Sequence, residues 1–390
     1  MKKVNQAFAL AIFAGLLFDP SFAEDTVVVT VSAKAGPVDG VAQNSDAFIW
    51  QLFTEFASPA LKNQPKPVLF ETWASDEDTF STKPHWPDPN EPKKLHASVL
   101  SRMTTTPFHI SAIDVKCGQP GNAAVGGFPS SGSPTPCIAE ETKRNRPQFD
   151  YIVGNNLNTK TGLAAAFKKS FVVAMPTSSI SVKGDWVPVQ TLLKWIPSLK
   201  TIDNIEKLYY TTVSDSVEYG LVSLHVSSRQ NPKWVWGTFE HQLNPGRCDD
   251  TGCFDSFGAE TPAVYPNKRT INTQYGSCLK TPHLKSLMAK NNLLPVWESY
   301  CLKSTQVDYS AANGTPYVLG NSVIERIVGN GTVTASSCIA CHVYASFGSD
   351  GAPTKSATAM LPYNPTGNPI PAVLAGSLQF DFMWGVLLAP

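Results

Sequence analysis

The chain has 390 residues, with 31 basic and 31 acidic side chains, and its formal net charge at pH 7 is zero. This balance leaves no cationic surplus for phosphate groups, which argues against nucleic acid as the main partner. Hydrophobic residues make up 42% of the chain, including 9 Trp and 20 Phe, so there is enough apolar material for a packed core and a disordered protein is excluded.

Residues 1–23 have the organisation of a secretory signal peptide. Two lysines near the start precede an apolar run at 7–18, and the sequence SFA at 21–23 ends in small residues that suit a signal peptidase. The apolar run is shorter than the roughly 20 residues of a membrane span, and no later segment supplies a span. We therefore expect an exported, periplasmic protein whose mature chain begins near Glu24.

The first part of the mature chain predicts short elements between loops. The sequence NSDAFIWQLFTEFA at 44–57 has apolar residues at helical spacing behind a polar start, which is typical of a capped amphipathic helix. KPVLFETW at 66–73 predicts a strand, and Ser75 followed by three acidic residues predicts a helix start. Residues 83–148 are rich in Pro, Ser and Gly and predict little regular structure.

The middle of the chain predicts a short helix at 160–169 and then an antiparallel sheet. The sheet is indicated by alternating β-branched and aromatic residues in four runs, at 178–189, 207–214, 219–228 and 233–242. A helix is predicted again at 321–329, and the sequence SSCIACHVYASFG that begins at Ser336 starts another.

Eight cysteines in an exported chain favour disulfides. Proximity along the sequence suggests Cys117–Cys137, Cys248–Cys253 and Cys278–Cys301, although six cysteines allow fifteen pairings. Cys338 and Cys341 are left over.

Cys338, Cys341 and His342 form a C-x-x-C-H pentapeptide, the spacing of a c-type haem attachment site. Two thioether bonds attach the vinyl groups of the porphyrin, and the adjacent histidine reaches the iron as proximal ligand. Three alternatives stay open. They are a thioredoxin-like dithiol, a plain disulfide across a short strained ring, and a zinc site, for which Cys248 and Cys253 are the available second pair.

At this pentapeptide the chain resembles the c-type cytochromes. Residues 234–248 (WVWGTFEHQLNPGRC) and 321–346 (NSVIERIVGNGTVTASSCIACHVYAS) together are similar to a family of exported bacterial proteins that are named as cytochrome c family members and have no described reaction. The resemblance implies a periplasmic protein with one covalent haem c and says nothing about a substrate.

We expect an α+β fold with two parts. A large, mixed, sheet-containing body at 24–301 is held by disulfides, and a helical, cytochrome c-like haem segment follows at 302–390. The same residues are also compatible with one domain, in which the haem segment packs onto the body.

The second axial ligand of the iron has two main candidates. Met360 follows His342 by 18 residues in a Pro-containing loop, and His241 lies at the end of a predicted strand, on the other face from Trp236. His225 and Met383 are weaker candidates, since the first lies within a strand and the second among large hydrophobic residues. Arg247, near several tryptophans, is a candidate partner for the haem propionates.

The sequence predicts a one-electron carrier that exchanges electrons with a redox partner protein or a small donor or acceptor. The body is much larger than such a carrier needs, so a haem-dependent oxidoreductase, peroxidase-like or substrate-oxidising, is the alternative, and a docking module is a third possibility. The chain has no G-x-S-x-G, H-E-x-x-H or dinucleotide-binding motif that names a catalytic residue.

Overall fold

An eight-stranded antiparallel sheet lies at the centre of the molecule in the computed structural model. The structure describes residues 41, 44–89, 91–97, 139–267, 273–323, 325, 336–361 and 365–390. The predicted signal peptide, the pair Cys117–Cys137 and most of the helix predicted at 321–329 lie outside the described residues.

The described helices are short, and the first is the longest. They are α1 (Ser45–Phe56), α2 (Asp76–Thr79), α3 (Arg146–Gly154), α4 (Lys160–Lys168), α5 (Val189–Trp195), α6 (Ile202–Leu208), α7 (Pro282–Lys290), α8 (Cys338–His342), α9 (Lys355–Thr358) and α10 (Pro371–Leu374). Turns of 3-10 helix occur at Leu69–Thr72, Pro197–Leu199, Pro295–Ser299 and Trp384–Leu388.

The strands that the structure describes fall into the central sheet and three two-stranded pairs. They are β1 (Pro59–Leu61), β2 (Gln64–Val68), β3 (Ala74–Ser75), β4 (His96–Ala97), β5 (Ala139–Arg144), β6 (Ile180–Pro188), β7 (Thr211–Ser214), β8 (Val217–Ser228), β9 (Val235–His241), β10 (Cys253–Phe254), β11 (Ala263–Val264), β12 (Tyr300–Gln306), β13 (Ser346–Phe347) and β14 (Leu378–Gln379). In the central sheet the order is β12-β9-β8-β6-β5-β3, with β4 beside β5 and β7 beside β8.

The alternation of side chains gives the central sheet two different faces. One face is apolar: Leu224 of β8 and Phe239 of β9 belong to a core cluster with Phe53 of α1. The other face bears charged and polar side chains, among them Lys183 of β6 and His225 of β8. We call these the apolar face and the polar face.

The predicted helices and strands are largely confirmed where the sequence pattern is strong. Helix α1 and strands β6 and β9 lie within the ranges that periodicity indicated, and β8 covers the run predicted at 219–228 but begins two residues earlier. The run at 207–214 is instead the end of α6 followed by β7. Strand β5 was missed because its sequence, AEETKR, is almost entirely polar, and its position between β3 and β6 supplies the pairing that its composition does not suggest.

The fold class is α+β with disulfides, as expected. Cys248–Cys253 and Cys278–Cys301 are the disulfides of the described residues, and both were predicted. No helix in the described part of the chain is long and apolar enough to span a membrane.

The C-terminal residues pack onto the sheet and do not stand apart from it. Strand β12, residues 300–306, continues across the predicted boundary at 301/302 and pairs with β9. A second core cluster joins Leu163 and Trp236 of the body to Ile339 and Phe380 near the pentapeptide. The two predicted parts therefore bury apolar surface in a common core.

Candidate functional site

Helix α8 consists of the pentapeptide Cys338–His342, and its start is fixed by two polar side chains. The Ser337 hydroxyl accepts a hydrogen bond from the Ala340 N–H at 3.2 Å, which is an N-cap. Gln306, at the end of β12, donates to the same hydroxyl at 2.7 Å and accepts from the Ile339 N–H at 3.3 Å. The central sheet therefore positions the pentapeptide directly.

Cys338 and Cys341 are half-buried and are not joined to each other. Burial, with the nearby charge of Glu325, raises the pKa of the Cys341 thiol to about 12, and it raises the pKa of Cys338 as well. Dithiols that serve in redox exchange have a lowered thiol pKa, since the thiolate is the reacting form. The environment of these two thiols therefore does not favour the dithiol alternative.

His342 has one ring nitrogen engaged and one available. Its Nδ1 lies 2.7 Å from the Phe382 carbonyl oxygen, which can only accept, so Nδ1 carries the proton and Nε2 keeps a lone pair. No residue of the described chain forms a hydrogen bond with Nε2. Burial lowers the pKa of His342 to about 4, so the imidazole is neutral at pH 7. A backbone carbonyl that holds the distal nitrogen of the ring in this way is typical of a metal-ligating histidine.

His225 and His241, in contrast, use both of their ring nitrogens. In His225, Nδ1 lies 2.8 Å from the Thr238 hydroxyl and Nε2 lies 2.9 Å from the Asn321 amide nitrogen. In His241, Nε2 lies 3.0 Å from the Leu208 carbonyl oxygen, and Nδ1 accepts from the Leu243 N–H at 3.2 Å. Neither ring offers a free nitrogen to a metal ion.

Cys338, Cys341 and His342 line a common cavity of about 210 Å³ against the polar face. Its apolar lining includes Leu319, Trp236, Leu361, Met383, Trp384 and Leu387. Its charged lining includes Glu140, Arg144, Lys183 and Glu325. The cavity thus combines two thiols and one free imidazole nitrogen with an apolar wall and a charged wall.

The cavity suits part of a porphyrin. Its volume is below the roughly 300–1,000 Å³ of sites that enclose small molecules, so a porphyrin attached to the two cysteines has to extend beyond it or displace lining side chains. The donor set fits haem c, because both cysteines and His342, whose Nε2 is free, line one cavity. Arg144 also lines the cavity and is 2% exposed. Its guanidinium pairs with the Asp76 carboxylate and donates to the Ser75 carbonyl oxygen at 2.8 Å, and its Nε has no hydrogen-bond partner among the described residues.

Three of the predicted ligands and contacts lie elsewhere. His241 shares a face of β9 with Phe239, so its ring stacks on Tyr209 on the apolar face. Arg247 is buried beside the Cys248–Cys253 disulfide, 3.2 Å from Cys248 Sγ, and its proposed role at the propionates gains no support from this position. Met360 packs at the edge of the second core, and the described cavity lining does not include it.

From the sequence, Met383 is only a weak ligand candidate and Lys183 and Arg144 are not candidates, yet all three line the cavity. Met383 lines the cavity, and its thioether accepts from the Ser181 hydroxyl at 3.6 Å. Alternation within the strand predicted at 178–189 does separate Lys183 from its apolar neighbours, so a signal for the polar face was present. Arg144 lies in the strand that the sequence did not predict.

The zinc alternative loses its second pair of ligands, since Cys248 and Cys253 are joined in a disulfide. The described residues also contain no group of three or more His, Cys, Asp and Glu side chains arranged to hold a metal ion. A haem iron does not require such a group, because the porphyrin supplies four of its ligands.

A second, larger cavity of about 860 Å³ lies beside the first. Glu77 and Glu141 line both cavities, and Lys93, between Glu71 and Glu141 at 2.8 Å from each, lines the larger one. The attraction of these two carboxylates outweighs burial and raises the pKa of Lys93, so the amine stays charged. The body therefore contains a polar space that shares lining residues with the cavity at the pentapeptide.

Comparisons with protein-family models, with curated proteins and with solved structures found no match to this chain.

Proposed function

We propose that this protein is an exported c-type haem protein that transfers single electrons. Cys338 and Cys341 would attach one haem c through thioether bonds to its vinyl groups, and Nε2 of His342 would bind its iron. The observation that carries the proposal is the state of His342. Its Nδ1–H is held by the Phe382 carbonyl while Nε2 is free at a cavity that both cysteines line.

The chain's own residues would hold the rest of the cofactor. The apolar lining formed by Leu319, Leu361 and Trp384 suits the porphyrin ring, and Arg144 takes over the propionate role that the sequence suggested for Arg247. The haem supplies a reversible Fe(III)/Fe(II) couple. The Phe382 carbonyl would hold the imidazole in the tautomer that leaves Nε2 free to bind the iron.

The periplasm is the proposed location. Covalent attachment keeps the haem with the chain outside the cytoplasm, and the two disulfides are consistent with an oxidising compartment. The proposed signal sequence at 1–23 supplies the export route. The partner in electron transfer is a redox protein or a small donor or acceptor.

A haem-dependent oxidoreductase is the second candidate, and two observations favour it. Neither Met360 nor His241, the two residues that the sequence favoured as second ligand, lines the described cavity. The larger cavity beside it is wide enough for a small substrate. Met383, which lines the cavity, separates the two candidates: its thioether would bind the iron in an electron carrier and would leave the iron accessible in an oxidoreductase.

The first experiment is expression in a periplasm with haem-attachment machinery, followed by a denaturing gel stained for haem and an absorption spectrum. We expect the stain to stay with the wild-type chain and to be lost when Cys338 and Cys341 are both replaced by alanine. His342→Ala should lose the low-spin spectrum, whereas the matched control His241→Ala should keep it. A colourless wild-type protein would contradict the proposal.

Cyanide then distinguishes the two candidates. An iron closed by Met383 does not bind cyanide readily, and Met383→Leu opens it, so only the variant should change its spectrum on addition of cyanide. Rapid cyanide binding by the wild type, with no further change in Met383→Leu, favours the oxidoreductase.

A further inference from the structure

A cluster of three titratable side chains on the polar face is not explained by haem attachment. Nε2 of His225 lies 3.7 Å from Glu325 Oε1 and 3.8 Å from Asp185 Oδ2, so the imidazole stands between two carboxyl groups. His225 and Glu325 line the cavity with Cys338, Cys341 and His342. The cluster therefore borders the space in which the haem is proposed to bind.

The tautomer of His225 follows from its neighbours. The Asn321 side-chain oxygen accepts from the Val323 N–H at 2.9 Å, which points the amide nitrogen of Asn321 at Nε2. Because that nitrogen can only donate, Nε2 accepts, and Nδ1 donates to the Thr238 hydroxyl. The ring is neutral, since burial lowers its pKa to about 3.

Both carboxyl groups are in surroundings that favour the protonated form. Asp185 is fully buried, its Oδ2 accepts from the Ser223 hydroxyl, and its Oδ1 has no hydrogen-bond partner among the described residues. Burial raises the pKa of Asp185 well above its ordinary range. Burial also raises the pKa of Glu325 to about 7, although the Asn321 N–H donates to it at 2.7 Å.

The charges on the neighbouring strands are already paired. Lys183 of β6 lies 2.7 Å from Glu140 of β5, and Lys303 of β12 lies 3.4 Å from Glu240 of β9. The attraction of the Glu140 carboxylate outweighs burial and raises the pKa of Lys183, which stays charged. Of the charged and titratable groups on this face, those in the cluster of Asp185, His225 and Glu325 are therefore the ones whose protonation can change.

We propose that the cluster of Asp185, His225 and Glu325 takes up one proton from solvent when the haem gains one electron, and returns it on oxidation. This inference rests on the proposed function. A one-electron donor reduces Fe(III) to Fe(II), which removes one positive charge from the site, and the proton that joins a carboxylate restores it. In a buried site of low dielectric, such compensation stabilises the reduced state far more than it does in water.

The test is the midpoint potential of the haem-loaded protein between pH 5.5 and 8.5. One proton per electron links a tenfold change in proton concentration to 59 mV, so we expect the potential to fall by up to 59 mV per pH unit near neutrality. Reduction in weakly buffered solution with an indicator dye should also show close to one proton taken up per electron. A potential that is constant with pH would overturn the inference.

Three variants locate the proton. Glu325→Gln and Asp185→Asn keep the size of the side chain and remove its titration, and we expect at least one of them to flatten the pH dependence. Glu260→Gln, at an exposed position outside the cavity, is the control and should keep the wild-type slope. If both cluster variants keep that slope, the proton resides elsewhere, for example on the propionates, and the inference is wrong.

The experiments also distinguish a failure of this inference from a failure of the proposed function. If the protein carries no covalent haem, both the proposed function and the proton uptake are wrong. If the protein carries covalent haem and its midpoint potential does not vary with pH, only the proton uptake is wrong, and the function proposed from His342 stands.

Discussion

The two faces of the central sheet are buried by different chemistry. On the apolar face, Phe53 of α1 packs against Trp50, Phe239 and Trp297, with ring centroids 4.5–5.5 Å apart. On the polar face, β6, β8 and β9 present Lys183, Asp185, His225 and Glu240 to the residues that carry the pentapeptide. Both faces are covered, and the cover of the polar face mixes charged side chains with apolar residues of the second core.

This difference indicates what each face contributes. Burying aromatic side chains stabilises the fold by roughly 25 cal/mol for each Å² of apolar surface removed from water. Burying ion pairs contributes little net stability, because the loss of hydration offsets the attraction between the charges. The apolar face therefore holds the fold together, and the polar face supports the proposed chemistry.

Removing an aromatic ring from the apolar face should have the largest effect on stability. Phe53→Ala leaves a cavity among four aromatic rings, and we expect the free energy of unfolding to fall by about 3–5 kcal/mol. Urea unfolding measures this loss. Leu279→Ala, at a residue that is 59% exposed, is the control and should change stability by less than about 0.5 kcal/mol. Equal losses in the two variants would refute the assignment of the core.

Breaking an ion pair on the polar face should lower the free energy of unfolding slightly less than Phe53→Ala does. Glu240→Gln leaves the Lys303 ammonium buried without its carboxylate, at a cost of about 3 kcal/mol, and adding Lys303→Met should recover most of that loss. The matched surface pair Arg146–Asp150 has partners that are 60% and 52% exposed, and Asp150→Ala should cost less than about 0.5 kcal/mol. A double variant as unstable as Glu240→Gln alone would contradict this account.

Stability should depend on pH with opposite sign at the two faces. His241, on the apolar face, has a pKa lowered by burial to about 3, so the unfolded chain binds a proton below pH 6.5 that the folded chain does not. Because of this proton, the free energy of unfolding of the wild type falls by about 1.4 kcal/mol for each pH unit below about 6.5. We expect His241→Gln to gain stability relative to wild type between pH 6.5 and 5.

Glu325, on the polar face, has a pKa raised by burial to about 7 from 4.5, so the folded chain keeps its proton longer. Wild type loses stability through this group as pH rises from about 4.5 to 7, and Glu325→Gln should gain on wild type in that direction. Urea unfolding at pH 5, 6 and 7 compares the two variants. If both variants gain stability relative to wild type in the same direction of pH, the two faces do not differ in the way described.

Much of the fold could be predicted because its signals are local. The periodicity of α1, the alternation in β8 and β9, and the Cys248–Cys253 and Cys278–Cys301 neighbours all depend on residues a short distance apart in the chain. The same alternation separated His241 from Trp236, and only Trp236 of the two lines the cavity. Strand β5 escaped prediction, since its polar sequence becomes a strand only between its neighbours.

By itself, the sequence determined the pentapeptide, its cysteine spacing and the periodic elements, because those depend on neighbours along the chain. The tertiary structure alone decided which histidine keeps a free nitrogen. The Phe382 carbonyl that holds His342 is 40 residues away, and the Asn321 amide that occupies His225 is 96 residues away. Such contacts depend on the register and packing of distant segments, which local patterns do not record.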